Sequence, residues 1–197
     1  MPTGVAIRDV RGQLFDAAER VLLRDGPNGL TSRAVTTEAG CAKGVLHRHF
    51  EDFDAFLAEL VLDRIGRLDA QAEALLAAAG TGTVAGNLAG ALTDLFSSVA
   101  VAIVGLITFR DELRGRLRRA LPGPGIPLLA QAGAMIVGYL AAERELGRIA
   151  AGADVDSLAL GLIGTGHLLF ADRTSPPPDA DAVREVVTTI LAGAVPG

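Results

Sequence analysis

With a single cysteine, Cys41, the chain excludes an intramolecular disulfide framework, and a lone thiol fits a reducing compartment. It has no tryptophan and only 4% aromatic residues, so its core must be built from Leu, Val, Ile and Ala, which an apolar content of 50% supplies. No charge-free apolar run reaches the roughly 18 residues of a membrane span. The longest, Leu95 to Phe109, is also interrupted by serines and a threonine, and reads as a buried helix. The opening residues MPTGVAIRDVRGQ lack the apolar segment of a secretory signal. These absences lead us to expect a cytoplasmic protein with no membrane partner.

A net charge of −5 excludes a protein that coats nucleic acid indiscriminately, but leaves room for one positive face. Residues 1–57 hold seven bases (Arg8, Arg11, Arg20, Arg24, Arg33, Lys43, Arg48) against eight acids (Asp9, Asp16, Glu19, Asp25, Glu38, Glu51, Asp52, Asp54). Their arrangement matters more than their sum: residues 39–50 contain Lys43, His47, Arg48 and His49 and no acid.

Catalytic constellations are missing as well. His47 and His49 stand two apart, which on a helix sends them in different directions and makes a poor metal pair. His167 falls in an apolar helix, where a core histidine is commoner than a ligand; it is retained as a polar group able to orient a bound molecule. Cys41 beside Lys43 has the setting of a thiol sensor, although a small packing residue in a turn is the stronger reading. We expect no enzyme, no cofactor and no metal site.

What the chain has in abundance is helical periodicity. Neither strand alternation nor a 20–50-residue repeat is present, and the fold class expected is all-α with about nine helices. From Arg8 to Asp25, Val10, Leu14, Ala17, Ala18, Val21 and Leu22 recur at helical spacing until Gly26-Pro27-Asn28-Gly29 stops them. Residues 31–50 then read as two short helices with a tight turn. Thr31 or Ser32 caps the first, Ala34, Val35 and Ala39 form its apolar face, and Gly40 redirects the chain. The second, from about Lys43 to Phe50, is positive throughout. A short positive helix held at an angle by its predecessor suits a DNA major groove.

Asp52 or Asp54 starts a long amphipathic helix striped by Phe53, Phe56, Leu57, Leu60, Val61, Ile65, Leu68, Ala72, Leu75 and Leu76, ended by Gly80-Thr81-Gly82. Residues 83–120 read as one long helix that breaks and continues. Its basic end, Arg110 to Arg119, is expected to face acidic parts of the N-terminal domain rather than DNA. Pro122 to Pro127 interrupts the chain. Helices follow from Leu128 to Ile149 and from Asp154 or Asp156 to Ala171. A rigid Ser175-Pro178 linker precedes a final helix from Asp179 to Ala194, faced by Val183, Val186, Val187, Ile190 and Leu191.

The run Gly40-Cys41-Ala42-Lys43-Gly44-Val45-Leu46-His47-Arg48-His49-Phe50, followed by the amphipathic stretch from Asp52, resembles the signature of TetR-family transcriptional regulators over about the first 60 residues. Three positions depart from it. Ala42 stands where a hydroxyl usually caps the recognition helix, His47 where tyrosine is usual, and Phe53 where a lysine commonly touches the DNA backbone.

The resemblance implies a helix-turn-helix domain over 8–54 and a ligand-binding and dimerisation domain over 55–197. It implies a homodimer through the last two helices, a palindromic double-stranded DNA operator and a small hydrophobic effector, with repression as the default action. Arg8, Arg33, Lys43, Arg48 and His49 are nominated for the DNA backbone, Lys43, Val45 and His47 for base edges, and Thr31 and Ser32 for the DNA-binding surface. Phe96, Val99, Ile103, Phe109, Met135, Tyr139 and His167 are nominated for the effector. Two readings of other classes stand beside it: a helical protein-interaction module using the terminal apolar faces, and an enzyme on a hydrophobic substrate, for which an acid, base or nucleophile set is lacking.

Overall fold

The computed structural model describes residues 9–172 and 176–196, which form helices and no strand. There are ten among the described residues: α1 (Val10–Gly29), α2 (Ser32–Glu38), α3 (Gly44–His49), α4 (Phe53–Ala77), α5 (Val84–Phe96), α6 (Ala100–Phe109), α7 (Asp111–Ala120), α8 (Pro127–Glu145), α9 (Val155–Ala171) and α10 (Ala180–Leu191). The expected Ser175 of the linker lies outside the described residues.

Ten replaces nine because residues 83–120 make three helices. Between α5 and α6 the chain bends by 57°. Local hydroxyl bonds accompany the break: Ser97 Oγ donates to the Thr93 carbonyl at 2.5 Å, and Ser98 Oγ donates to Leu95 at 2.5 Å and accepts from the Ala100 N–H at 3.3 Å. Arg110 is extended (φ −123°, ψ 100°) and separates α6 from α7. Among the described residues no single helix is long and apolar enough to cross a membrane. The pair α5 and α6 has the composition for it, but Leu88, Leu92, Leu95, Ile103, Leu106 and Ile107 are buried in the protein's own core.

Carboxylate and hydroxyl caps start six of the helices, at Thr31, Asp52 and Asp154 where the sequence offered them and at Asp9, Thr83 and Asp179 besides. Asp9, Thr31, Asp52, Thr83, Asp154 and Asp179 each accept a first-turn N–H. Helix α1 breaks at Gly26, whose φ of 74° suits glycine alone, and a last turn through Pro27 follows.

The N-terminal unit is closed by phenylalanines. Phe50 meets Phe56 edge-on at 5.0 Å between centroids, and Phe15 lies 5.9 Å from Phe50 and 5.7 Å from Phe56. These rings join α1, the end of α3 and the start of α4. Helix α4 then runs without interruption for 25 residues, about 37 Å at 1.5 Å per residue, so it belongs to both units. In the body α8 packs on α4 and α9, and α10 packs on α5 and α9. Val183, Val187 and Leu191 of α10 are thereby spent on the subunit's own core. Helix α9 by contrast leaves Leu160 and Leu168 open, 75% and 73% exposed.

Candidate nucleic-acid interface

Helix α2 is fixed from both ends. Thr31 Oγ1 accepts the Ala34 N–H at 3.1 Å. At the other end Gly40 (φ 64°) donates to the Thr37 carbonyl and Cys41 to that of Thr36, the paired bonds of a Schellman turn that needs a left-handed residue. Glu38 is held by Arg24 and Arg20 of α1, each at 2.8 Å, and these hydrogen bonds keep its carboxyl below the usual range. The buried Thr36 hydroxyl is satisfied by the carbonyls of Ser32 and Arg33.

Helix α3 hangs on Leu46, which is fully buried, and on Phe50 immediately after it. Its N-terminus has no side-chain cap, consistent with Ala42 in the position where a hydroxyl is usual. With Leu46 inward, helical spacing turns Gly44 and Arg48 outward and sets Lys43 and His47 beside them. Lys43, Gly44, His47, Arg48 and His49 are all exposed.

Pairing separates these cations from the others. Arg11 bonds Glu59 and lies 4.6 Å over the Phe50 ring. Arg20 and Arg24 hold Glu38, and Arg64 and Arg67 pair with carboxylates. The side chains of Arg33, Lys43, His47, Arg48 and His49 make no ion pair among the described residues. The chain's only lysine is thus left free on the short helix. Arg118 and Arg119, at the end of α7, are the other exposed arginines without an ion pair there.

Val45 is placed differently from its neighbours. It is half-buried against the core and borders a 250 Å³ cleft with Val10, Leu14, Cys41 and His49, so it stands at the flank of the exposed face. Ser32 is half-buried and its Oγ has no partner, while Arg33 is exposed. Arg8 lies outside the described residues. Gly44 was not nominated from the sequence. A Cβ there would meet nothing within 4 Å, so packing does not demand the glycine; its effect is to leave a gap between Lys43, His47 and Arg48. A glycine inside a six-residue positive helix was the available signal.

The joint after α3 is acidic, and α7 neutralises it. Asp52 splits its carboxylate: Oδ1 accepts the Ala55 N–H at 2.7 Å to cap α4, and Oδ2 accepts from Arg116 at 2.6 Å. Arg116 also approaches Glu51 at 3.4 Å, and Arg110 holds Asp54 at 2.9 Å. Phe53, in place of a lysine, lies under the Arg110 guanidinium at 5.6 Å. The basic helix therefore faces the acids of the N-terminal unit, as its sequence suggested.

The nominated effector residues do not converge on one cavity. Val99 and Ile103 line a 200 Å³ pocket bounded by α1, α4, α6 and α8. Phe96 lines a separate 340 Å³ surface cleft with Leu23 and Phe170, and the His167 ring lies 6.0 Å from it. Met135 is buried. Tyr139 is fully buried in a polar knot: it donates to Glu143 at 2.6 Å and accepts from Asn87 at 2.9 Å, and burial with the neighbouring carboxylate pushes its hydroxyl pKa well up. Phe109 is 85% exposed, which corrects its expected place in an interior site: the end of α6 turns it outward. A cleft of 470 Å³ lies at the far end of the body beside Thr83, Arg148 and Leu191. Among the described residues no group of three His, Cys, Asp or Glu is placed to hold a metal.

Residues 14–60 match the family described as bacterial regulatory proteins, tetR family. No protein of curated function matches the chain by sequence. Similar solved structures include the transcriptional regulator FadR from Bacillus subtilis in complex with stearoyl-CoA, at 20% identity over 92% of this chain and 98% of that one, with a TM-score of 0.68. A candidate TetR-family regulator from Mesorhizobium loti MAFF303099 is 18% identical over 94% of this chain and 96% of its own, with a TM-score of 0.66. The reduced form of E. coli NemR is 16% identical, covering 94% and 95%, with a TM-score of 0.68. At these identities the structural likeness fixes the fold.

Proposed function

We propose that this chain, which carries the DNA-reading domain of the bacterial tetR family over residues 14–60, is a dimeric transcriptional repressor that a small hydrophobic effector releases from a palindromic operator. The observation that carries the reading is the unpaired positive face of α3. A cation without an internal partner keeps its full charge for phosphate, whereas Arg20, Arg24 and Arg64 have spent theirs. Arg33, Arg48 and His49 hold the backbone, and Lys43 and His47 reach base edges across the gap at Gly44. Val45 reaches bases only from the flank. Thr31 and Ser32 approach the backbone at the start of α2, where the Thr31 oxygen already serves as cap.

Dimerisation is supported by the open leucines of α9, which lie on either side of exposed Gly164, a position with open space for a second helix to approach. Two recognition helices related by a two-fold axis then meet successive major grooves. An apolar effector is supported by the composition of the body and by the acyl compound bound to the similarly folded FadR. The reading makes the chain a cytoplasmic binding protein, not an enzyme.

The test is selection from a random duplex pool. Wild-type protein is expected to enrich a palindrome, with affinity falling steeply as salt rises. The Lys43→Ala/His47→Ala variant is expected to lose roughly 10- to 100-fold at that site, the usual range for one or two base or phosphate contacts. Folded wild-type protein that enriches nothing overturns the reading.

A further inference from the structure

We propose that the end of α7 is a second DNA-contacting element, in which Arg119 holds a phosphate of the duplex in addition to those held by α2 and α3. The contact deepens the regulator reading and rests on it for the operator, though not for binding to duplex DNA itself.

The charges left over after pairing are sorted by position. Among the described residues the exposed cations without an ion pair are Arg33, Lys43, Arg48, Arg118 and Arg119. The exposed acids that neither pair nor cap a helix are Asp69, Glu73, Asp94, Glu145, Asp156 and Glu185, all in the second half of α4 or beyond. A chain of net charge −5 thus keeps its free positive charge on the reading head and at one further place, the tip of α7. That separation favours a polyanion at the end of the molecule where the head lies.

Helix α7 is aimed at that end. Arg110, just before it, holds Asp54, and Arg116 holds Asp52 and Glu51. The contacts of α7 therefore step back along the chain toward His49, and its tip is carried toward the positive helix. Leu113 and Leu117 are fully buried and fix the inward face. At about 100° per residue, Arg119 falls on the same flank as Arg116 but turned further outward, about 4.5 Å along the axis. Arg118 falls on the opposite flank.

The nearby carboxylates are already engaged. Asp54 has Arg110, Asp111 has Arg114, and Glu51, Asp52 and Glu112 share Arg116. Across the joint and α7 the acids and arginines balance, but unevenly: the paired arginines are drawn to the joint and the two free ones stand at the tip. A cation at a helix C-terminus also complements the helix dipole. At an exposed site that attraction is screened by salt, and it leaves the guanidinium fork open to phosphate.

The experiment is titration of the full chain with its selected operator and with a random-sequence duplex over a range of salt concentrations. Arg119→Ala is expected to weaken both several-fold and to lower the slope of log affinity against log salt by about 1 per bound subunit. Arg119→Lys is expected to keep the slope. Arg118→Ala removes the same charge from the same helix end and is expected to change either affinity less than twofold. Ethylation interference should show one phosphate that matters to wild-type protein and not to Arg119→Ala. Equal losses in Arg118→Ala and Arg119→Ala overturn the proposal, because diffuse charge then explains them. So does an unchanged slope in Arg119→Ala, and a lowered unfolding temperature with unchanged DNA binding assigns the residue to the helix end instead. Loss on the random duplex without an enriched palindrome fells the regulator reading and leaves the contact standing. An enriched palindrome that Arg119→Ala binds as wild type does fells the contact alone.

Discussion

At the scale of the residue, His167 is the group whose surroundings make the sharpest prediction. Its Nδ1 is buried without a partner, and burial alone pushes its pKa below the ordinary value near 6.5. The unfolded chain therefore takes up the proton more readily than the folded one as pH falls below about 6.5. Stability is complete above that value and declines as pH drops toward the folded pKa. Thermal unfolding followed at pH 7.5 and pH 5.5 is expected to show this decline in wild-type protein and a shallower one in His167→Gln. Equal declines in both would assign the acid sensitivity elsewhere. The sequence showed a histidine in an apolar helix but not the Phe96 ring against it. It also showed Gly161, Gly164 and Gly166 as possible close approaches. Only the folded chain reveals that Gly166 is the tight one, where a Cβ would sit 2.6 Å from Phe96, whereas one at Gly164 would meet nothing within 4 Å.

At the scale of the element, capped helix starts and glycine or proline stops were legible, and the positions of the breaks within residues 83–120 were not, for a physical reason. A start depends on one short polar side chain reaching an N–H two or three residues on, so Thr31, Asp52 and Asp154 announce themselves. The breaks at Ser97–Val99 and Arg110 contain no proline or glycine, and they depend on how α6 and α7 pack against α1 and α4. The basic helix α7 shows what such packing achieves. Arg116 reaches from the body to the Asp52 carboxylate that caps α4, three residues beyond the positive helix. Removing it leaves Glu51 and Asp52 as uncompensated negative charge at the joint next to DNA. Arg116→Ala is expected to weaken operator binding several-fold, with only a modest loss of stability. Arg116→Lys is expected to recover part of the affinity by keeping the charge without the fork. Parallel measurement of operator affinity and unfolding free energy checks both; unchanged affinity in Arg116→Ala would mean that the joint's acids do not face the duplex.

At the scale of the whole molecule, the chain's apolar surface is distributed unevenly, and this bears on the proposed dimer. The sequence offered two apolar-faced helices at the C-terminus as one shared partner surface. In the fold, α10 turns Val183, Val187 and Leu191 inward against α5 and α9, whereas α9 leaves Leu160 and Leu168 open. Both helices have periodic apolar residues, so periodicity alone could not say which stripe serves the subunit's core and which is left over. The two leucines are eight residues apart, about two turns, and therefore share one face. An exposed apolar face of this kind on one helix is what a two-fold packing partner covers. The variant Leu160→Glu/Leu168→Glu places four like charges together in a dimer, near the symmetry axis. It is expected to run as a folded monomer in light scattering and to lose the palindrome while retaining weak half-site binding. A variant that remains dimeric with full operator affinity would move the interface to another face.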